Sequence, residues 1–210
     1  MALIKRIFSQ PWLFLGNLIL IGMVTAFAPL ERSLGANVRL VYYHGAWVWA
    51  GKLAFGAAAL AGLAGLVLRR WGPPPTWARR LPAWTLALGR TGLIFWVTYL
   101  PMSLLVMQLN WGGLFLDEPR FRTPLTFGIV GLLLHAGFYF LDQPDLICLG
   151  SLIYGVVLWI ALGEIENILH PDSPIFTSDS IRIQLFFIVL LILSVLIGWQ
   201  IARWLYGKIK

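Results

Sequence analysis

The chain has 210 residues, of which 59% are hydrophobic and only 12% charged, and its mean hydropathy of +0.80 leaves too little polar surface for a soluble globular domain. Its net charge of +7 does not point to nucleic acid, because the basic residues stand at the ends of apolar runs and form no patch interleaved with exposed polar groups. The composition predicts an all-α, polytopic membrane protein, a single domain over residues 1–210, with the length consumed by spans and short connections.

A helix needs roughly 20 apolar residues to cross a hydrocarbon core about 30 Å thick, and it satisfies its own backbone hydrogen bonds there. Six runs meet that length, near 12–30, 42–68, 84–110, 123–141, 145–163 and 183–205. The first follows Lys5 and Arg6 and ends at Ala26-Phe27-Ala28, a layout shared with secretory signals. Pro29 after the would-be cleavage site, and a run from Trp12 to Leu30 long enough to span, predict that it is retained as a helix.

The second run opens on "VYYHGAWVW", Val41 to Trp49, with His44 among two tyrosines and two tryptophans. It continues into "GAAALAGLAG", where Ala57, Ala61 and Gly65 recur every four residues and predict a smooth packing face. The connection "RRWGPPPTWARR", Arg69 to Arg80, is a proline-stiffened turn with basic residues at both ends and Trp71 and Trp77 as interfacial anchors. After the third run comes "WGGLFLDEPRFR", Trp111 to Arg122, in which Arg120 and Arg122 suit a carboxylate bidentately, or pair with Asp117 and Glu118. The fourth run holds His135 deep within it, and the fifth holds Cys148, the one cysteine, in a packing role. Between the fifth and sixth runs lies "EIENILHPDSPIF", Glu164 to Phe176, carrying His170.

Charge placement orients the chain. With the N-terminus inside, the cytoplasmic side collects nine basic residues: Lys5, Arg6, Arg69, Arg70, Arg79, Arg80, Arg203, Lys208 and Lys210. The other side holds five, Arg32, Arg39, Arg120, Arg122 and Arg182, together with most of the acids. Both termini are therefore expected in the cytoplasm. His44 and His170 then share the outer level, while His135 sits alone, about 20 Å deeper at 1.5 Å per residue.

Singly, each outer histidine fits a hydrogen-bonded boundary residue. As a pair among aromatic side chains they fit axial ligation of a haem, non-covalent and b-type, because no Cys-x-x-Cys-His attachment motif exists. Trp47, three residues after His44 on the same helical face, is expected to touch the macrocycle, with Tyr43 and Tyr42 adding apolar walls, and Arg120 or Arg122 meeting the propionates. For His135, an interhelical hydrogen bond or a small polar pocket is expected. Lys52 and Arg90, the remaining ionisable groups within the spans, fit pairing or snorkelling. No paired-carboxylate, Ser/His/Asp, P-loop or dinucleotide pattern is present, so no enzymatic activity is expected.

The order of these features resembles the CcmC-type haem-handling proteins of cytochrome c maturation, six-helix members of the wider cytochrome c assembly family. The segment "VRLVYYHGAW" is similar to the family's "RIIYVHVPAAW", with His44 on its histidine. The segment "WGGLFLDEPR" matches the family's WGxxWxWDxR in Trp111, Gly112 and Arg120, and "IENILHP" places His170 where the family has "WWNTLHQ". The family's further tryptophans are absent, Glu118 replaces its aspartate, and only Phe115 keeps an aromatic face. The resemblance implies a haem held at the outer face by His44 and His170, over a floor built from the Trp111 and Phe115 motif. It also implies a prokaryotic plasma (inner) membrane location and partners among lipids and the membrane complexes of haem export or cytochrome assembly. A structural or single-haem b-type subunit of a larger respiratory or photosynthetic complex, built on the same fold, is the alternative.

Overall fold

The computed structural model describes residues 11–32, 34–70, 75–165, 175 and 178–209. Among them the chain is all-α, with six helices: α1 Pro11–Ala26, α2 Val38–Arg70, α3 Leu81–Trp111, α4 Pro119–Leu141, α5 Pro144–Gly163 and α6 Ile181–Ile209. A single 3₁₀ turn, Ala78–Arg80, leads into α3. Five of the helices, α2 to α6, are long and apolar enough to cross a membrane, which makes this a multi-pass membrane protein by helix length and hydropathy. The first helix has 16 residues, about 24 Å of rise, and stops at Ala26 instead of running to Leu30 as expected. Pro29, three residues on, cannot continue it.

Chain punctuation explains the other boundaries. Prolines stand at the starts of α3, α4 and α5, where a missing N–H costs nothing. Gly112 ends α3 in the left-handed region at φ 70°, and Asp142 ends α4 at φ 44°. The lipid-compatible exterior is made of exposed side chains such as Leu60, Leu133 and Ile160.

Helix packing is set by small residues. A Cβ on Gly62 of α2 would lie 2.5 Å from the Cys148 carbonyl oxygen of α5, and one on Gly155 of α5 would lie 2.7 Å from Ala59 Cβ. The face that meets α5 is therefore Ala59, Gly62 and Gly65, displaced around α2 from the expected Ala57, Ala61 and Gly65 stripe; Ala57 and Ala61 are only half-buried. Gly51 and Gly92 let α2 and α3 close around Phe55, Phe95 and Trp96, all at most 1% exposed. Tyr154 of α5 reaches over Gly131 to donate to the Phe127 carbonyl of α4 at 2.8 Å. Asn17 of α1 donates to the Leu193 carbonyl of α6, laying α1 along α6.

The ends are pinned as well. Arg69, at the end of α2, pairs with Asp145, at the start of α5, at 2.7 Å. At the other end Asn37, just before α2, donates to the Leu109 carbonyl of α3 at 3.1 Å. The start of α2 and the close of α3 therefore sit together.

Candidate functional site: a charged cavity at one end of the bundle

Between the start of α2, the close of α3 and the start of α4 lies a cavity of about 880 Å³, within the range of cofactor and small-molecule sites. Its α2 wall is a helical stripe, Val38, Val41 and Tyr42, Gly45, Val48 and Trp49, then Lys52, with His44 beside it. From α3 come Trp96, Tyr99, Ser103 and Trp111; from the start of α4, Glu118 and Arg120. Leu162 of α5, Phe187 of α6 and Glu31 also line it, and the cavity is half open.

The floor follows from the packing beneath it. Trp96 is fully buried and donates its indole N–H to the Pro124 carbonyl at 2.8 Å, so its ring is fixed between α3 and α4. Tyr99, 2% exposed, meets Trp96 edge-on at 5.1 Å between centroids and lies at a tilt against His44 at 5.4 Å. The imidazole is thus held against a rigid aromatic post on a neighbouring helix. Pro101 interrupts the backbone ladder of α3 just after Tyr99.

Four charged groups share the space. Glu118 is only 7% exposed, and among the described residues its Oε1 has no hydrogen-bond partner; the same holds for the Tyr42 hydroxyl. Arg120 stands two residues on, within electrostatic reach of Glu118. The Lys52 ammonium lies 4.4 Å from the Trp49 ring centroid and 4.7 Å from that of Trp159, a cage whose attraction offsets part of the desolvation of the cation. The Trp159 indole is locked there by donating to the Lys52 carbonyl at 3.1 Å. Glu31 accepts from the Leu34 N–H at 3.0 Å, which fixes the turn before α2.

Of the residues singled out from the sequence, the structure brings Tyr42, His44, Trp111 and Arg120 together on the cavity wall. Trp47 does not line it: the ring is 8% exposed, donates to Thr98 Oγ1 at 2.8 Å and packs on Phe95 at 4.5 Å. Tyr43 leans on Trp47 at 5.2 Å, off the cavity stripe. Phe115 is 40% exposed, and Arg122 is exposed one helical step beyond Arg120. His170 lies outside the described residues. His135 is remote, fifteen positions beyond Arg120 on α4 and therefore about 22 Å along the helix; its Nδ1 lies 2.9 Å from the Gly131 carbonyl of its own helix, so the described bond is intrahelical, not interhelical.

Trp49, Lys52, Trp96, Tyr99 and Glu118 line the cavity as well, and the sequence does not mark them as site residues. The i, i+3, i+4 stripe from Val38 to Lys52 holds the missed signal for the α2 residues, and it also excludes Tyr43 and Trp47. For Trp96, Tyr99 and Glu118 there was none, since partners on other helices select them.

Chemically, one imidazole, flat aromatic walls and two cations fit a planar apolar ligand with a metal centre and acidic substituents. Haem meets that description. The two carboxylates in the same cavity fit it less well, and they define which part of the space an acidic group avoids. Among the described residues no group of three or more His, Cys, Asp or Glu side chains is placed to hold a bare metal ion. Comparison with family models, curated proteins and solved structures finds no match to this chain.

Proposed function

We propose that this protein crosses the membrane six times with both termini cytoplasmic, and that it holds haem non-covalently in the cavity at the outer end of α2, as a haem-handling component of c-type cytochrome assembly. The observation that carries the reading is the meeting of His44, Trp111 and Arg120, from three separate helices, in one cavity of about 880 Å³. The nine-to-five asymmetry of basic residues supports the orientation. The position of α1 against α6 supports counting α1 as the sixth span.

Haem, when bound, would supply an iron that takes nitrogen ligands, and His44 is one residue that would hold it. His44 presents a ring nitrogen from a helix end steadied by Tyr99. Trp49, Trp111 and Tyr99 exclude water and offer flat faces to the macrocycle. Arg120 meets a carboxylate through its planar fork. His170, which lies outside the described residues, is the second residue that would hold the iron. In this reading the protein binds and releases the ligand without making or breaking a covalent bond.

Absorbance spectra of the purified protein, oxidised and reduced, test the reading: the wild type should show a haem spectrum of bis-histidine type, lost or greatly weakened in His44→Ala. A wild type that takes up no haem, either from cells or on titration, removes the proposal. The exposed placement of Phe115 and Arg122, which leaves Trp111 as the motif's one aromatic on the cavity wall, favours a second reading as a structural or single-haem b-type subunit of a larger respiratory or photosynthetic complex. Stable copurification with such a complex distinguishes it.

A further inference from the structure

Glu118 and Tyr42 carry buried oxygens that the haem reading leaves without a part. Glu118 stands at the N-cap of α4, where its backbone carbonyl accepts from the Phe121 and Arg122 N–H groups, each at 2.9 Å, and its side chain makes no capping bond. The residue instead lines the cavity, 7% exposed, and its Oε1 has no hydrogen-bond partner among the described residues. Tyr42, 1% exposed, lines the same cavity, its ring held against Phe186 of α6 at 5.4 Å between centroids. Its hydroxyl likewise has no hydrogen-bond partner among the described residues. Burying polar oxygens in this way is costly, so each calls for a group on whatever fills the cavity.

The two oxygens discriminate between ligand chemistries. An ionised carboxylate only accepts, whereas a phenol hydroxyl donates as well. A ligand carbonyl satisfies Tyr42 but is repelled by Glu118. An ammonium satisfies Glu118, but Lys52 lines the same cavity and disfavours a second cation. Arg120, two residues beyond Glu118 on the same wall, already gives the carboxylate a cationic neighbour, so Oε1 wants a donor and not a charge. A neutral hydroxyl both donates and accepts, and it suits the pair. The fixed rings of Trp96 and Tyr99 offer flat faces to its carrier. All five helices that line the cavity are long and apolar enough to cross a membrane, which suits a lipid-soluble carrier.

We propose that the cavity binds a lipid-soluble phenol, a class that includes hydroquinones, whose hydroxyl donates to Glu118 and accepts from Tyr42. This goes beyond the haem reading and does not rest on it, since neither oxygen contributes to holding an iron.

The test titrates the full-length protein in detergent with para-octylphenol and, separately, with its methyl ether, which keeps ring and chain but cannot donate. Quenching of tryptophan fluorescence reports occupancy, because Trp49, Trp96 and Trp111 line the cavity. The wild type should bind the phenol at least about tenfold more tightly than the ether, as expected for a hydrogen bond to a charged acceptor. Glu118→Gln should bring that ratio close to one. Tyr42→Phe should weaken phenol and ether alike, because both oxygens accept. Equal wild-type affinities, binding of neither compound, a ratio that survives Glu118→Gln, or a Tyr42→Phe variant that binds both as the wild type does overturns the inference. Each of these outcomes leaves the haem reading standing, since that is judged by absorbance. The wild-type comparison needs no variant, so a poorly folded substitution does not blunt the experiment.

Discussion

Trp47 donates its indole N–H to Thr98 Oγ1 at 2.8 Å across the interface of α2 and α3. Thr98 in turn donates to the Ile94 carbonyl at 2.7 Å, so the indole caps a hydroxyl already bound to its own helix. The bond turns one of the two tryptophans of the "VYYHGAWVW" segment away from the cavity and makes it a strut between helices. Trp47→Phe keeps the contact with Phe95 but deletes the bond, and it should cost about 0.5–1.5 kcal/mol, read by equilibrium unfolding in mixed micelles. Haem affinity should be unchanged; a variant that stays stable but loses the ligand would show that Trp47 belongs to the site.

The approach of α2 to α5 depends on glycine at two positions. At Gly62 an added methyl meets a backbone oxygen, 2.5 Å away, that no rotamer change can move. Gly62→Ala should therefore destabilise the bundle by about 1–3 kcal/mol, despite alanine's higher intrinsic helix propensity. Gly16→Ala, with nothing within 4 Å of the new methyl, is the control and should range from neutral to about 1 kcal/mol more stable than the wild type. Comparable losses at both positions would remove the packing argument.

His44 and His135 should separate cleanly. His135 is 8% exposed, edge-on to Phe138 at 5.4 Å, with Nε2 2.8 Å from where a Gly89 Cβ would stand. Its replacement by alanine opens a void between α3 and α4 worth about 2–3 kcal/mol and leaves any haem spectrum as it was. His44→Ala should do the reverse. A spectrum sensitive to both would place the ligand elsewhere.

Orientation can be read by labelling with a membrane-impermeant maleimide in intact cells. Cys148 is completely buried, so the wild-type chain should stay unlabelled until it is denatured. In a Cys148→Ser background, Asp172→Cys should label from outside and Pro75→Cys should not. The opposite pattern inverts the topology.

Helix number, helix limits and the membrane setting were legible in the sequence because they depend on run length and on local punctuation by proline and glycine. The expected spans from 42 to 205 differ from α2 to α6 by no more than four residues at either end. The first ends four residues short, at Ala26, since Pro29 acts on the backbone whatever the hydropathy of its neighbours. Which residues face one another was decided only by the packed bundle. Seen from α2 alone, Trp47 and Lys52 are two side chains near one histidine; Thr98 and Phe95 of α3 draw the first out of the cavity, while Trp159 of α5 holds the second at its wall. The physical reason is that hydropathy along one helix records how much apolar surface it carries, whereas the direction each side chain takes is set by the rings, carbonyls and missing Cβ atoms that neighbouring helices present.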